Sequence, residues 1–128
     1  MMADIKPIKP TESELEILQV LWQKEKATVR EVHETLIVSK DIGYTTTLKL
    51  MQIMNEKGLV ERDDSARTHI YKAAANKENT QKFLLNRFIS NLFGGSSSQL
   101  VMQALGSQKV STEELNQIQH LIDNLKKK

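Results

Sequence analysis

The chain has 128 residues, with 18 Lys+Arg against 16 Asp+Glu and no cysteine. That length suits one ordinary domain, or a small domain with a helical extension. The missing cysteines exclude disulfides, thiolate metal sites and thiol nucleophiles, and make a reducing cytoplasm the expected setting. No signal-like segment opens the chain and nowhere do about 18 apolar residues run together, so a soluble, unexported protein with no membrane insertion is expected.

The formal net charge of +2 does not argue for nucleic acid. Residues 1–75 carry 11 Lys/Arg against 12 Asp/Glu, and residues 76–128 carry 7 against 4. Any surface in the first segment that attracts anions must therefore be a local patch.

In Thr11-Glu12-Ser13-Glu14 a capping hydroxyl stands three residues before a carboxylate, and Leu15, Leu18, Leu21 and Trp22 follow at helical spacing. This predicts a first helix ending near Lys26. Thr28-Val29-Arg30-Glu31 repeats the signature, and Val32 and Leu36 carry a second helix to about Val38. Asp41-Ile42-Gly43 breaks that pattern. Thr45 or Thr46 then caps a third helix, with Leu50, Ile53 and Met54 on one face and Gly58 closing it.

Leu59-Val60-Glu61-Arg62 and His69-Ile70-Tyr71-Lys72 are β-prone runs around the polar stretch Asp63–Arg67, which predicts a hairpin. Asn76 to Phe93 returns to helical spacing, with Phe83, Leu84, Phe88, Ile89 and Leu92 too numerous to cover inside so small a unit. Gly94-Gly95-Ser96-Ser97-Ser98 stops that helix. A fifth holds Leu100, Val101, Ala104 and Leu105, and Gly106–Val110 is read as a loop. A third capping box, Ser111 to Glu114, starts the last helix, where Leu115, Ile118, Ile122 and Leu125 form the seam of a helix that packs on a partner helix.

The expected fold class is mainly α with a small β-hairpin: a winged helix-turn-helix domain over residues 1–75 and a helical dimerisation region over 76–128. In a winged helix the third helix enters the DNA major groove and the hairpin reaches the backbone. Small three-helix units also bind proteins, so an adaptor without DNA binding is the alternative. Hydroxyl side chains at a helix N-terminus, as in Gly43-Tyr44-Thr45-Thr46-Thr47, suit phosphate contact and suit capping equally.

Residues 43–55 contain one positive charge and no negative one, with Lys49 and Gln52 on the outward face. Tyr44 is read either as a phosphate donor or as a packing staple. Arg67 in the hairpin loop suits a phosphate or minor-groove contact, whereas Asp63 and Asp64 repel DNA unless they serve as turn formers. His33, His69 and His120 lack the spacing of a metal site. No grouping of nucleophile and base, glycine-rich phosphate loop or inward carboxylate pair can be assembled, so no metal, cofactor or enzymatic activity is expected.

The run Lys9-Pro10-Thr11-Glu12-Ser13-Glu14-Leu15-Glu16-Ile17-Leu18 with Leu21-Trp22 resembles the opening of the penicillinase-repressor (BlaI/MecI) family. Thr28-Val29-Arg30-Glu31-Val32 is similar to that family's second helix. Tyr44-Thr45-Thr46-Thr47 and Glu56-Lys57-Gly58-Leu59-Val60 are similar to its recognition helix and following turn. The resemblance covers nearly all of residues 9–73, and Leu100-Val101 with Ser111–Leu115 is similar to the dimerisation tail.

It implies a bacterial, dimeric transcriptional repressor on a palindromic operator before resistance genes, released when a membrane sensor protease cuts the C-terminal region. It also implies that Tyr44, Thr45, Thr46, Lys49, Gln52, Thr28, Arg30 and Arg67 meet DNA. Phe83, Phe88, Leu92, Leu100, Leu115, Ile118, Ile122 and Leu125 are then expected to form the dimer interface. Gln103-Ala104 stands where well-known members have the Asn-Phe pair that is cut. Leu48 and Ile53 stand where many members carry a basic residue. The copper-responsive branch has paired cysteines that this chain lacks.

Overall fold

The computed structural model describes residues 9–128. Helix α1, Glu12–Lys24, starts where the Thr11 hydroxyl accepts the Glu14 amide at 3.2 Å and the Glu14 carboxylate accepts the Thr11 amide at 2.9 Å. Its buried stripe is Glu14, Ile17, Leu18, Val20 and Leu21. It stops two residues before the expected end because Glu25 takes positive φ, 71°, and turns the chain into Ala27. Helix α2, Val29–Leu36, has the second capping box on Thr28 and Glu31 and buries Val29, Val32 and Leu36. It ends before Val38, which lies exposed in the turn that follows.

Helix α3, Tyr44–Lys57, begins one to two residues earlier than expected. Its N-cap is Gly43, whose extended backbone leaves its carbonyl to receive the Thr47 amide at 3.2 Å, so neither Thr45 nor Thr46 caps it. The buried stripe also differs from the expected Leu50, Ile53 and Met54. It is Thr47, Met51 and Met54, with Leu50 and Ile53 half-buried. A threonine is tolerated in this stripe because its hydroxyl is bonded to His33 at 3.0 Å, which offsets the cost of burying it. Gly58 closes the helix in the left-handed conformation, as its position requires.

Strands β1, Val60–Asp63, and β2, Ile70–Ala73, pair antiparallel with Arg62 opposite Tyr71. Ala27 adds a further bridge that the sequence pattern does not reveal, exchanging both backbone bonds with Tyr71 at 2.9 and 2.8 Å. The core comprises Ile17, Leu18, Leu21, Val32, Met51, Met54, Val60 and Tyr71 with their neighbours. The Trp22 indole donates to the Ala75 carbonyl at 2.9 Å, fastening the end of the hairpin to α1. Three helices in this order, with the hairpin after them, form a winged helix-turn-helix.

The chain divides into two units, one through Leu84 and one from Leu85 onward. Helix α4, Lys77–Leu92, is started by the Asn76 side chain and stopped by Gly94 and Gly95, both at positive φ. Helix α5, Ser97–Ser107, is capped by Ser96. It runs through Gly106, expected to be loop, because the backbone bonds of the helix continue to the Gln108 amide, which donates to the Ala104 carbonyl at 3.2 Å. Helix α6, Thr112–Lys126, has the Ser111–Glu114 capping box. None of these three helices has a buried residue. No helix among the described residues is long and apolar enough to cross a membrane.

Glu14 is the carboxylate buried in the core, 2 % exposed. Burial pushes its carboxyl up, but the Lys57 ammonium at 2.8 Å and the Thr11 bonds outweigh it and hold the group below its ordinary value. A depressed folded value means that the ionised carboxylate adds stability above the unfolded value and loses it as pH falls through the folded one. Glu14→Gln is expected to cost about 2 kcal/mol near neutrality. Denaturant titrations should show that gap closing below the ordinary glutamate value of 4.5; a gap independent of pH contradicts this reading.

Candidate nucleic-acid interface

Two pairs of side chains, each one helical turn apart, join α2 to the start of α3. The Arg30 guanidinium lies 5.5 Å from the Tyr44 ring centroid, a cation–π distance. The His33 ring also meets Tyr44 in a T-shaped contact, with centroids 5.4 Å apart and ring planes at 83°. One turn further along α3, His33 Nδ1 is hydrogen-bonded to Thr47 Oγ1. Tyr44 packs on α2 in this way while remaining 40 % exposed.

The rotation of α3 decides what else is presented. With Thr47, Met51 and Met54 inward, Thr45, Lys49 and Gln52 lie on the opposite side at the same four-and-three spacing, and all are exposed. Thr46 is exposed on the flank of that face. The helix carries no acid in its first turn, so the exposed amide end and its hydroxyls suit an anion.

Thr28, Arg30, Tyr44, Gln52 and Arg67 line one open groove between the start of α2, α3 and the hairpin. Thr45, Thr46 and Lys49 are exposed on α3 but are not among the groove's lining residues. The structure adds Arg62, Thr68 and His69 to that lining. Arg62 was legible in principle, since it stands two residues after buried Val60 and a strand returns to the same face at that interval. Bonding to Tyr71 and to Asp64 binds the Arg62 proton more tightly than usual.

The two hairpin aspartates have separate tasks. Asp63 is bonded by the Ser65 hydroxyl and accepts the Ser65 amide at 2.9 Å, which together lower its pKa, and the amide bond closes the turn. Asp64 pairs with Arg62 at 2.7 Å and stands 3.6 Å from His69. Its charge is thus opposed by the arginine beside it, and the groove keeps a net positive lining. Such an arrangement can hold a phosphate backbone against the groove while the α3 face reaches base edges. Among the described residues no three His, Cys, Asp or Glu side chains converge as metal ligands.

In the second unit Phe88, Leu92, Leu115, Ile122 and Leu125 are exposed, while Leu100 and Ile118 are half-buried. Phe88 meets Phe93 edge-on at 5.7 Å. Phe83, in the first unit, is half-buried. Gln103 and Ala104 are exposed within α5.

The sequence profile of the penicillinase repressor family matches residues 10–124. The methicillin resistance regulatory protein MecI of Staphylococcus aureus (strain N315) is 19% identical over 120 residues, covering 94% of this chain and 98% of that protein. The penicillinase repressor of Bacillus licheniformis is 19% identical over 116 residues, covering 91% of each. The transcriptional regulator BlaI of Mycobacterium tuberculosis (strain ATCC 25618 / H37Rv) is 38% identical over 56 residues, covering 43% of this chain and 41% of that one.

Asp64→Asn removes the carboxylate that opposes Arg62, so the protein should elute from a heparin column at higher salt than the wild type. Elution at unchanged or lower salt means that Arg62 does not face the polyanion.

Proposed function

The chain belongs to the penicillinase repressor family, and on that premise we propose that it represses transcription as a homodimer on palindromic operator DNA. The observation that carries this reading is the outer face of α3, free of acids from its first turn as far as Glu56 near its end, with exposed Thr45, Thr46, Lys49 and Gln52 beside an arginine-lined groove. In this reading those four side chains meet bases or adjacent phosphates, and Tyr44, Thr28, Arg30 and Arg67 anchor the backbone. Arg62 joins them from the hairpin. Residues 1–75 bind DNA and residues 76–128 make the dimer.

Helices α4, α5 and α6 expose more large apolar side chains than a stable isolated helical unit tolerates. A second copy covers Phe88, Leu92, Leu100, Leu115, Ile118, Ile122 and Leu125, with Phe83 at the edge. Two linked half-site contacts then bind far more tightly than one. Whatever loosens this region therefore releases the operator. Cleavage near the exposed Gln103–Ala104 bond by a membrane sensor protease is one such release, and control of antibiotic-resistance genes in the bacterial cytoplasm is the setting that the relatives' names support.

Titration of the full chain against the palindromic DNA upstream of its own gene and against a scrambled duplex tests this, at about 50 and 200 mM salt. Preference for the palindrome with steep salt dependence is expected. Lys49→Ala removes one charge from each half-site and should make the fall of log affinity with log salt shallower by about 1.8 per dimer, and Ile122→Asp should sediment as a monomer and lose the preference. Equal, feeble binding to both duplexes overturns the reading and favours a protein-binding adaptor.

A further inference from the structure

The geometry points to His33 as a positioning residue for DNA reading: it sets both the Tyr44 ring and the first turn of α3 without itself touching DNA. This inference rests on the operator-binding reading above. His33 belongs to α2, yet its side chain meets α3 twice, once at the Tyr44 ring and once at the Thr47 hydroxyl. Thr47 is fully buried, and its hydroxyl is also directed at the Gly43 carbonyl, the cap of α3, at 3.5 Å.

A single imidazole thus spans two residues one turn apart at the start of the reading helix. One ring nitrogen is bonded to the buried hydroxyl while the ring packs roughly perpendicular to the aromatic from which the exposed turn departs. Arg30 adds a contact to Tyr44 one turn earlier on α2. Apolar packing alone fixes the distance between two helices more firmly than the rotation of a terminal turn. A directional bond to Thr47 supplies the rotational constraint. Loss of that constraint leaves the fold intact but lets Thr45, Thr46 and Tyr44 depart from the positions that base edges demand. Specific recognition then suffers more than general attraction to phosphate, which depends on charge rather than placement.

Three variants of the full chain separate the contacts. His33→Phe keeps a ring against Tyr44 and removes the bond, Thr47→Val removes the same bond from the other side, and His33→Asn keeps a polar nitrogen near the Nδ1 position. Affinity for the palindromic and scrambled duplexes is measured for each, with thermal unfolding to confirm a folded chain. His33→Phe and Thr47→Val should each weaken palindrome binding by about fivefold to tenfold and change scrambled-duplex binding by less. The double variant should be no weaker than either single one, and His33→Asn should recover part of the loss. Palindrome binding unchanged in both single variants overturns the positioning role alone, and so does an equal fall on both duplexes. A wild-type chain that shows no preference overturns the operator-binding reading and the positioning role with it.

Discussion

The orientation of one helix about its own axis governs everything that the winged unit presents. Thr47, Met51 and Met54 are the positions of α3 that go fully inside, and that narrow stripe leaves Thr45, Lys49 and Gln52 pointing the opposite way. A rotation of one residue, about 100° on a helix of 3.6 residues per turn, would bring a different side chain outward at each step. The inner stripe is held from three directions. Lys57 at the end of α3 pairs with buried Glu14 of α1, His33 of α2 bonds Thr47, and the backbone after Gly58 leads directly into β1.

The same elements set the electrostatics. The N-terminal segment has slightly more acids than bases, yet several of its carboxylates are occupied internally. Glu14 and Glu31 close capping boxes, Asp63 closes the turn, and Asp64 opposes Arg62. The charged side chains that line the groove are Arg30, Arg67 and the Asp64-paired Arg62, with His69 beside them. A near-neutral segment can thus carry a positive groove, because local pairing rather than total charge determines the field close to a surface.

Local rules were enough for much of the fold. The capping boxes at Thr11, Thr28 and Ser111 and the terminal Gly58 depend on residues within one turn of each other, and each stands where the sequence pattern puts it. What the pattern did not reveal depends on distant partners. Thr47 enters the core only because His33 answers its hydroxyl, Glu14 is buried because Lys57 arrives 43 residues later, and Ala27 pairs with Tyr71 across the fold. For the site, spacing along α3 was legible as far as the exposure of Thr45, Lys49 and Gln52. The groove was legible only in pieces, since it gathers side chains from α2, α3 and the hairpin. Arg62 was marked only by strand alternation with Val60, and His33 offered no ligand-like spacing.

In the proposed complex two copies place their α3 helices in the major groove on one face of an operator. Hydroxyl-radical footprinting of the full chain on the DNA upstream of its own gene tests this placement. Two protected patches related by a dyad, with centres about 34 Å or a multiple of it apart, are predicted. A single patch, or protection spread evenly along the duplex, would contradict it.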